Sequence, residues 1–333
     1  MRVMQYRQLG RSNLKISVVG YGSWGISDPQ NWGEQDRSAA IRSIRAAFEC
    51  GINFFDTAEA YGDGLAENLL AEALGDVRDQ VVLATKVSSA NYVATKMMAA
   101  CERSLSALKT DRIDLYQIHW PADDMTVDEV FGGLEKLKAQ GKIRHYGVCN
   151  YGVKDLTACL KRKKTVVSNQ VAYNALFRAI ESDILPFCIK ENIPVLCYSP
   201  LLHGLLTGKY AHPENVPDGL ARTRHFSSAR SRTRHGEPGA EKETFEALDA
   251  IRKMAGEIGE SMTNVSLAWL LAQKGVGCVI TGARSAIQAK RNARAGDLML
   301  PSSVLSHLTQ ATRTLNEKLG NNPDLWQSAS RIH

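Results

Sequence analysis

No stretch of the 333-residue chain approaches the roughly 18 consecutive apolar residues that a helix needs to cross a bilayer, which excludes a helical membrane protein. The first twenty residues scatter Arg2, Arg7, Arg11 and Lys15 among apolar positions and hold no compact apolar stretch followed by a small-residue cleavage site. The expected compartment is therefore the cytoplasm. Cysteine occurs seven times but never as a C-x-x-C pair. An odd, scattered set forms neither a disulfide framework nor a zinc knuckle, and no metal site is expected. A broad basic surface is missing too. The net charge is +6, but residues 222 to 235 hold five arginines and no acid, and the remainder nets only +1. With no basic face and no recognisable module, a nucleic-acid partner is not expected. What is present, 44% hydrophobic and 23% charged residues, is the composition of an ordinary globular protein.

Length alone allows two domains, so the strand pattern decides. Eight short apolar runs recur along the chain: Ile16–Val19, Ile52–Asp56, Val81–Lys86, Ile113–His119, Ile143–Val148, Val166–Val171, Pro194–Tyr198 and Val276–Thr281. Each reads as a strand buried on both faces. Helical stretches lie between them. Asp36 is placed to cap one that ends before Gly51, and Thr126 with Glu129 forms a capping-box pattern for one that stops at Gly141. Eight strands alternating with helices predict an α/β fold, a (β/α)8 TIM barrel spanning 1–333 as a single domain. Ahead of it, Tyr6–Leu9 and Asn13–Ile16 flank the turn-rich Gly10-Arg11-Ser12 and read as a β-hairpin able to plug the barrel's bottom. Residues 201–240 carry five glycines and three prolines and read as a long functional loop. Extra helices near the C-terminus are expected at Glu241–Ile258 and Thr263–Gln273.

Gly20-Tyr21-Gly22-Ser23-Trp24-Gly25 matches a dinucleotide fingerprint, but no helix begins at its third glycine, so a Rossmann domain does not follow. The C-terminal rim of a barrel is where chemistry collects. Asp56, Lys86 and His119 end the second, third and fourth runs, and Tyr61 follows Asp56 by five residues. Singly, each has a plainer role as a helix cap, a solvated charge or a core histidine. Together they are an acid, an ammonium, a phenol and an imidazole around one mouth, a set that can deliver a proton to a carbonyl oxygen without a metal.

The segments carrying these residues, Gly51-Ile52-Asn53-Phe54-Phe55-Asp56-Thr57-Ala58-Glu59-Ala60-Tyr61-Gly62, Leu83-Ala84-Thr85-Lys86, Asp114-Leu115-Tyr116-Gln117-Ile118-His119-Trp120-Pro121 and Tyr198-Ser199-Pro200-Leu201, the last followed by Gly204-Leu205-Leu206-Thr207-Gly208-Lys209-Tyr210, resemble the aldo-keto reductase family from about Tyr6 to Asn292. The resemblance implies a barrel binding NADP(H) and reducing small aldehydes or ketones reversibly, with Tyr61, Lys86, Asp56 and His119 catalytic and Tyr61 the general acid. A phenol with a pKa near 10 is a weak acid at neutral pH; an adjacent Lys86 is expected to lower it, with Asp56 holding the lysine.

The resemblance also implies cofactor contacts: Gly22, Ser23 and Asp56 at the ribose, Asn150 and Gln170 at the carboxamide, Tyr198 stacked on the nicotinamide, and Ser199, Leu201 and Gly204 over the pyrophosphate. Three departures stand out. Cys149 precedes Asn150 where serine is common, Thr281 replaces a common proline, and Arg291 stands where an acid often contacts the adenine. Gly282, Arg284, Gln288 and Asn292 open a helix after the last strand, and a helix N-terminus beside a guanidinium suits the 2′-phosphate that distinguishes NADP. Trp24, Trp32 and Trp120 are expected to line an apolar pocket for a small-molecule carbonyl substrate. The arginines of 222–235 read either as a solvated loop or as an attractor for an acidic substrate or the cofactor phosphates. No membrane partner is expected, and the chain should be a monomer or small homo-oligomer. The alternative is a cofactor-binding regulatory subunit resembling the potassium-channel β-subunits; a DNA-binding role for the arginine loop is a third reading.

Overall fold

The computed structural model describes residues 4–122 and 124–333. A two-stranded antiparallel hairpin, β1 (Tyr6–Gln8) and β2 (Lys15–Ser17), precedes eight parallel strands: β3 (Val19–Gly22), β4 (Phe54–Asp56), β5 (Val82–Val87), β6 (Ile113–Ile118), β7 (Ile143–Cys149), β8 (Asn169–Ala172), β9 (Val195–Tyr198) and β10 (Val276–Gly282). The last pairs with β3 and β9, closing the barrel in the order β10-β3-β4-β5-β6-β7-β8-β9. Helices follow in the connections: α1 (Pro29–Trp32) and α2 (Arg37–Glu49), α3 (Leu65–Leu74), α4 (Ala94–Leu108), α5 (Val127–Ala139), α6 (Val153–Lys161), α7 (Ile184–Glu191), α8 (Glu241–Glu257), α9 (Met262–Leu271) and α10 (Ala286–Ala293). After these come α11 (Ser302–Ala311) and α12 (Arg313–Leu319). The expected TIM barrel, hairpin and extra C-terminal helices are all present.

Local chemistry sets several boundaries. The Asp36 carboxylate accepts from the Ala39 amide at the start of α2, and Gly51 takes a φ of +86° just beyond its end. Thr126 and Glu129 exchange the two bonds of a capping box at α5, so orphan amides of the first turn are satisfied. Where the sequence reading erred, it erred at strand starts. The run Ile16–Val19, expected as the first barrel strand, is split: Ile16 belongs to the hairpin, and the barrel strand continues through Gly20-Tyr21-Gly22. Glycines lower strand propensity, which hid it, but here they have a steric purpose. A Cβ on Gly22 would stand 2.8 Å from Ile280 Cγ2.

Two cores result. Leu9, Leu14 and Ile16 of the hairpin region pack against Phe54, Val82, Ala84, Leu115, Val167, Leu196, Cys278 and Ile280, filling the barrel from its N-terminal end. A larger shell joins the outer strand faces to the helices. The long loop is irregular apart from 3-10 turns at Leu202–Thr207 and Pro213–Asn215. It is not simply solvated. Buried Arg224 pairs with Glu237 at 2.8 Å and donates to the carbonyls of Asn322 and Leu319, tying the loop to the C-terminal segment. All seven cysteines are free thiols, and among the described residues no helix is long and apolar enough to cross a membrane.

Candidate active site

Alternate residues of a strand share a face. Phe54, Val82, Ala84 and Leu115 fill the barrel interior, so Asp56, Lys86 and Gln117, the next inward positions, rise above that apolar floor at the C-terminal end. Lys86 is fully buried, and its ammonium meets an acceptor for each of its three protons: Asp56 Oδ1 at 2.5 Å, the Thr57 carbonyl at 2.8 Å and the Tyr61 hydroxyl at 3.4 Å. Asp56 Oδ2 accepts from Gln117 at 3.1 Å and Gln170 at 2.8 Å. The carboxylate is thus buried without an unmet oxygen, as a charge in low dielectric must be. Burial works against a charged lysine, but Asp56 and Tyr61 outweigh it and hold Lys86 above its usual 10.5.

Tyr61 lies in the turn between β4 and α3. Its ring sits under the ammonium at 4.9 Å, beside the Trp24 ring at 6.3 Å and edge-on to His119 at 5.9 Å. The expected lowering of its pKa is not the net result. Burial raises the phenol above 10 and Asp56 adds to this, while Lys86 pulls in the expected direction without prevailing. Tyr61 therefore keeps its proton at neutral pH. Burial, with Lys86 nearby, pushes His119 down to about 3, so its ring is neutral.

These groups open on a cavity of about 750 Å³. Around it the fold gathers Gly22, Ser23, Asp56, Tyr61, His119, Asn150, Gln170, Tyr198, Ser199, Leu201 and Gly204, together with Gly282, Arg284, Gln288 and Asn292 and the three tryptophans Trp24, Trp32 and Trp120. Lys86 alone of the expected residues lies beneath the wall. Asn150, Ser199 and His203 line it with positive φ of 60°, 49° and 53°, strain of the kind that concentrates at functional sites. Tyr198 donates to Asn150 Oδ1 at 3.0 Å, and Asn150 Nδ2 donates to the His119 carbonyl. Cys149, in place of serine, turns its thiol to Gln117 Oε1 at 3.8 Å.

Some details of these contacts were not legible in the sequence. The Gln170 amide nitrogen is turned toward Asp56 and Gln117. The Arg284 guanidinium is committed to the end of α1 and the residues after it: Gln35 Oε1 at 2.7 Å and the carbonyls of Trp32, Gly33 and Glu34. Ser285, not Arg284, caps α10. Arg291 Nε and Asn292 Oδ1 at the same end of the cavity are buried without partners, an unmet donor beside an unmet acceptor. Other residues of the site went unmarked, Gln117 beneath the cavity wall and three that line it. Gln117 was legible as the one amide in an apolar strand, whereas His203, Trp326 and Arg331 come from irregular segments with no periodic signal. Trp326 stacks on His203 at 5.2 Å, and the Arg331 guanidinium lies 3.7 Å above the Trp120 ring, paired with buried Asp324.

Comparison with known proteins agrees with this geometry. Residues 18–313 match the Aldo/keto reductase family. The aldo-keto reductase YhdN of Bacillus subtilis is 31% identical over 298 residues, 84% of this chain and 85% of that protein. The methylglyoxal reductase YeaE of Escherichia coli is 31% identical over 301 residues, 90% of this chain and 92% of its own. An aldo-keto reductase from Klebsiella pneumoniae, solved in complex with NADPH, superposes with a TM-score of 0.74 at 29% identity, over 99% of both chains. With the fold, the rim residues and the family match in agreement, the chain belongs to the aldo/keto reductase family.

Proposed function

We propose that this chain is an NADP(H)-dependent oxidoreductase that reduces small aldehydes or ketones, reversibly, with Tyr61 as the proton donor. The observation that carries the reading is the single ammonium of Lys86 shared between Asp56 and Tyr61 directly under the cavity wall. The NADPH complex of a relative and the methylglyoxal reductase activity named for another point the same way.

The residues fit a nicotinamide dinucleotide. The cavity has the volume for it, and at the α10 end Asn292 Oδ1 offers an acceptor for an adenine amine while Arg291 Nε offers a donor for a phosphate. Asn150, Gln170 and Tyr198 would hold the nicotinamide end. When bound, the cofactor supplies the hydride; the protein supplies alignment and electrostatics. A carbonyl oxygen placed between the Tyr61 hydroxyl and the neutral His119 ring would accept a hydrogen bond from each, provided that His119 carries its proton on the nitrogen facing the cavity. As negative charge grows on that oxygen, Tyr61 gives up its proton, and the phenolate left behind is stabilised by Lys86 at 3.4 Å. Asp56 touches no substrate in this scheme; it positions the ammonium and keeps it charged. The test is NADPH consumption by the purified protein against a panel of aldehydes and ketones that includes methylglyoxal. Turnover of some carbonyls supports the reading, and a protein that binds NADPH but reduces none overturns it.

A further inference from the structure

The arginine-rich loop brings one unusual group to the cavity mouth. The Arg222 guanidinium lies 5.4 Å from the Trp24 ring and 5.2 Å from the Trp326 ring, held beside both indoles. Its Nε and Nη2 are buried and make no hydrogen bond. The neighbouring acid is already occupied: Asp28 accepts from the Trp24 indole at 2.9 Å and the Asn31 side chain at 2.6 Å. The other arginines here are otherwise engaged or exposed. Arg331 pairs with Asp324, Arg232 donates to Gln30 and Asn31, and Arg234 is exposed.

A guanidinium cannot shed its charge, and leaving its donors buried and unmet is costly. The unmet Nε and Nη2 form one edge of the planar fork, the pair that matches a carboxylate or phosphate. The position also counts. Trp24, in contact with Arg222, is in turn stacked beside Tyr61, so the fork stands two ring contacts from the proton donor, in the tryptophan-lined part of the cavity. We infer that the substrate is an anionic carbonyl compound, with a carboxylate or phosphate a few bonds from the carbonyl, and that Arg222 reads that anion. This deepens the reductase reading and rests on it.

The test compares 4-oxobutanoate with butanal, matched in chain length and differing in the carboxylate, in the wild type, Arg222→Gln and Arg222→Lys. A charge-assisted bond contributes about 1.5 to 3 kcal/mol, so the wild type should prefer 4-oxobutanoate by roughly 10- to 100-fold in kcat/KM, mostly through KM. Arg222→Gln should erase that preference, and Arg222→Lys, a point charge without a fork, should restore only part of it. A wild type indifferent to the carboxylate, or equal losses on both substrates in Arg222→Gln, overturns the inference. So does a matching loss of NADPH affinity, which would assign Arg222 to a cofactor phosphate. A second readout needs no turnover: quenching of tryptophan fluorescence in the NADP-loaded protein by 4-hydroxybutanoate against 1-butanol. Arg222-dependent binding of the acid without any reduction sinks the reductase reading and keeps the anion site. Reduction without charge preference does the reverse.

Discussion

Changing Lys86 to Met removes the ammonium but keeps much of the side chain's volume, leaving the Asp56 carboxylate buried with only Gln117 and Gln170 as donors. Breaking a buried pair by deleting one partner costs about 3 to 5 kcal/mol, because the remaining charge loses its compensation. Lys86 also donates to Thr57 and Tyr61, so we expect the upper part of that range. Urea denaturation at neutral pH measures it. Adding Asp56→Asn removes the stranded charge and should recover most of the loss, a coupling that a double-mutant cycle isolates. The pH dependence has a definite sign. Lys86 is held above its usual 10.5 in the folded state, so its stabilisation is fully present below about pH 10.5 and drains as pH rises through the folded value. The gap between wild type and Lys86→Met should therefore be constant through the neutral range and narrow only in strong alkali. A loss below about 1 kcal/mol, or a double mutant as unstable as the sum of the two single changes, would refute the reasoning.

Four further outcomes follow. Because burial and Lys86 push His119 down to about 3, the pH-rate profile for reduction should show no limb near 6.5, and with Tyr61 raised above 10 it should fall only in alkali; a limb near neutrality would show that His119 titrates. Arg291→Ala should weaken NADPH by about one to two decades and NADH far less, the loss of a charge-assisted bond. Arg284→Ala, which frees the Trp32–Glu34 carbonyls, should weaken both cofactors together; titrations by fluorescence quenching distinguish the two patterns. Leu115→Ala, deep in the plug core, should cost about 2 to 5 kcal/mol in thermal or urea unfolding, and a cost under 1 would mean that the hairpin does not pack as described.

Much of this was written locally in the chain. Asp56, Lys86 and His119 were visible because each is a polar residue closing an apolar run, and Tyr61 because it stands at a fixed reach beyond one of them. Asp36 and Thr126 announced their helices through capping chemistry that acts over three residues. The misplaced first strand had no such signal, since the same run serves the hairpin and leads into a glycine-bearing barrel strand. The partners of Arg284 were hidden for a different reason: residues 32–35 lie some 250 positions away, and only closure of β10 onto β3 brings them together. Trp326 and Arg331 were equally hidden, because irregular segments crossing a barrel mouth carry no periodicity to read; Arg222 was visible only as one of a run of loop arginines whose solvated and anion-attracting readings the sequence left open.

The central claim is that Tyr61 delivers the proton during carbonyl reduction. Tyr61→Phe removes one oxygen and leaves the ring packed between Trp24, His119 and Lys86. With a carbonyl the wild type reduces, the account predicts that kcat falls by about 10² or more while the dissociation constant for NADPH stays put. A Tyr61→Phe protein that keeps most of its turnover would contradict it.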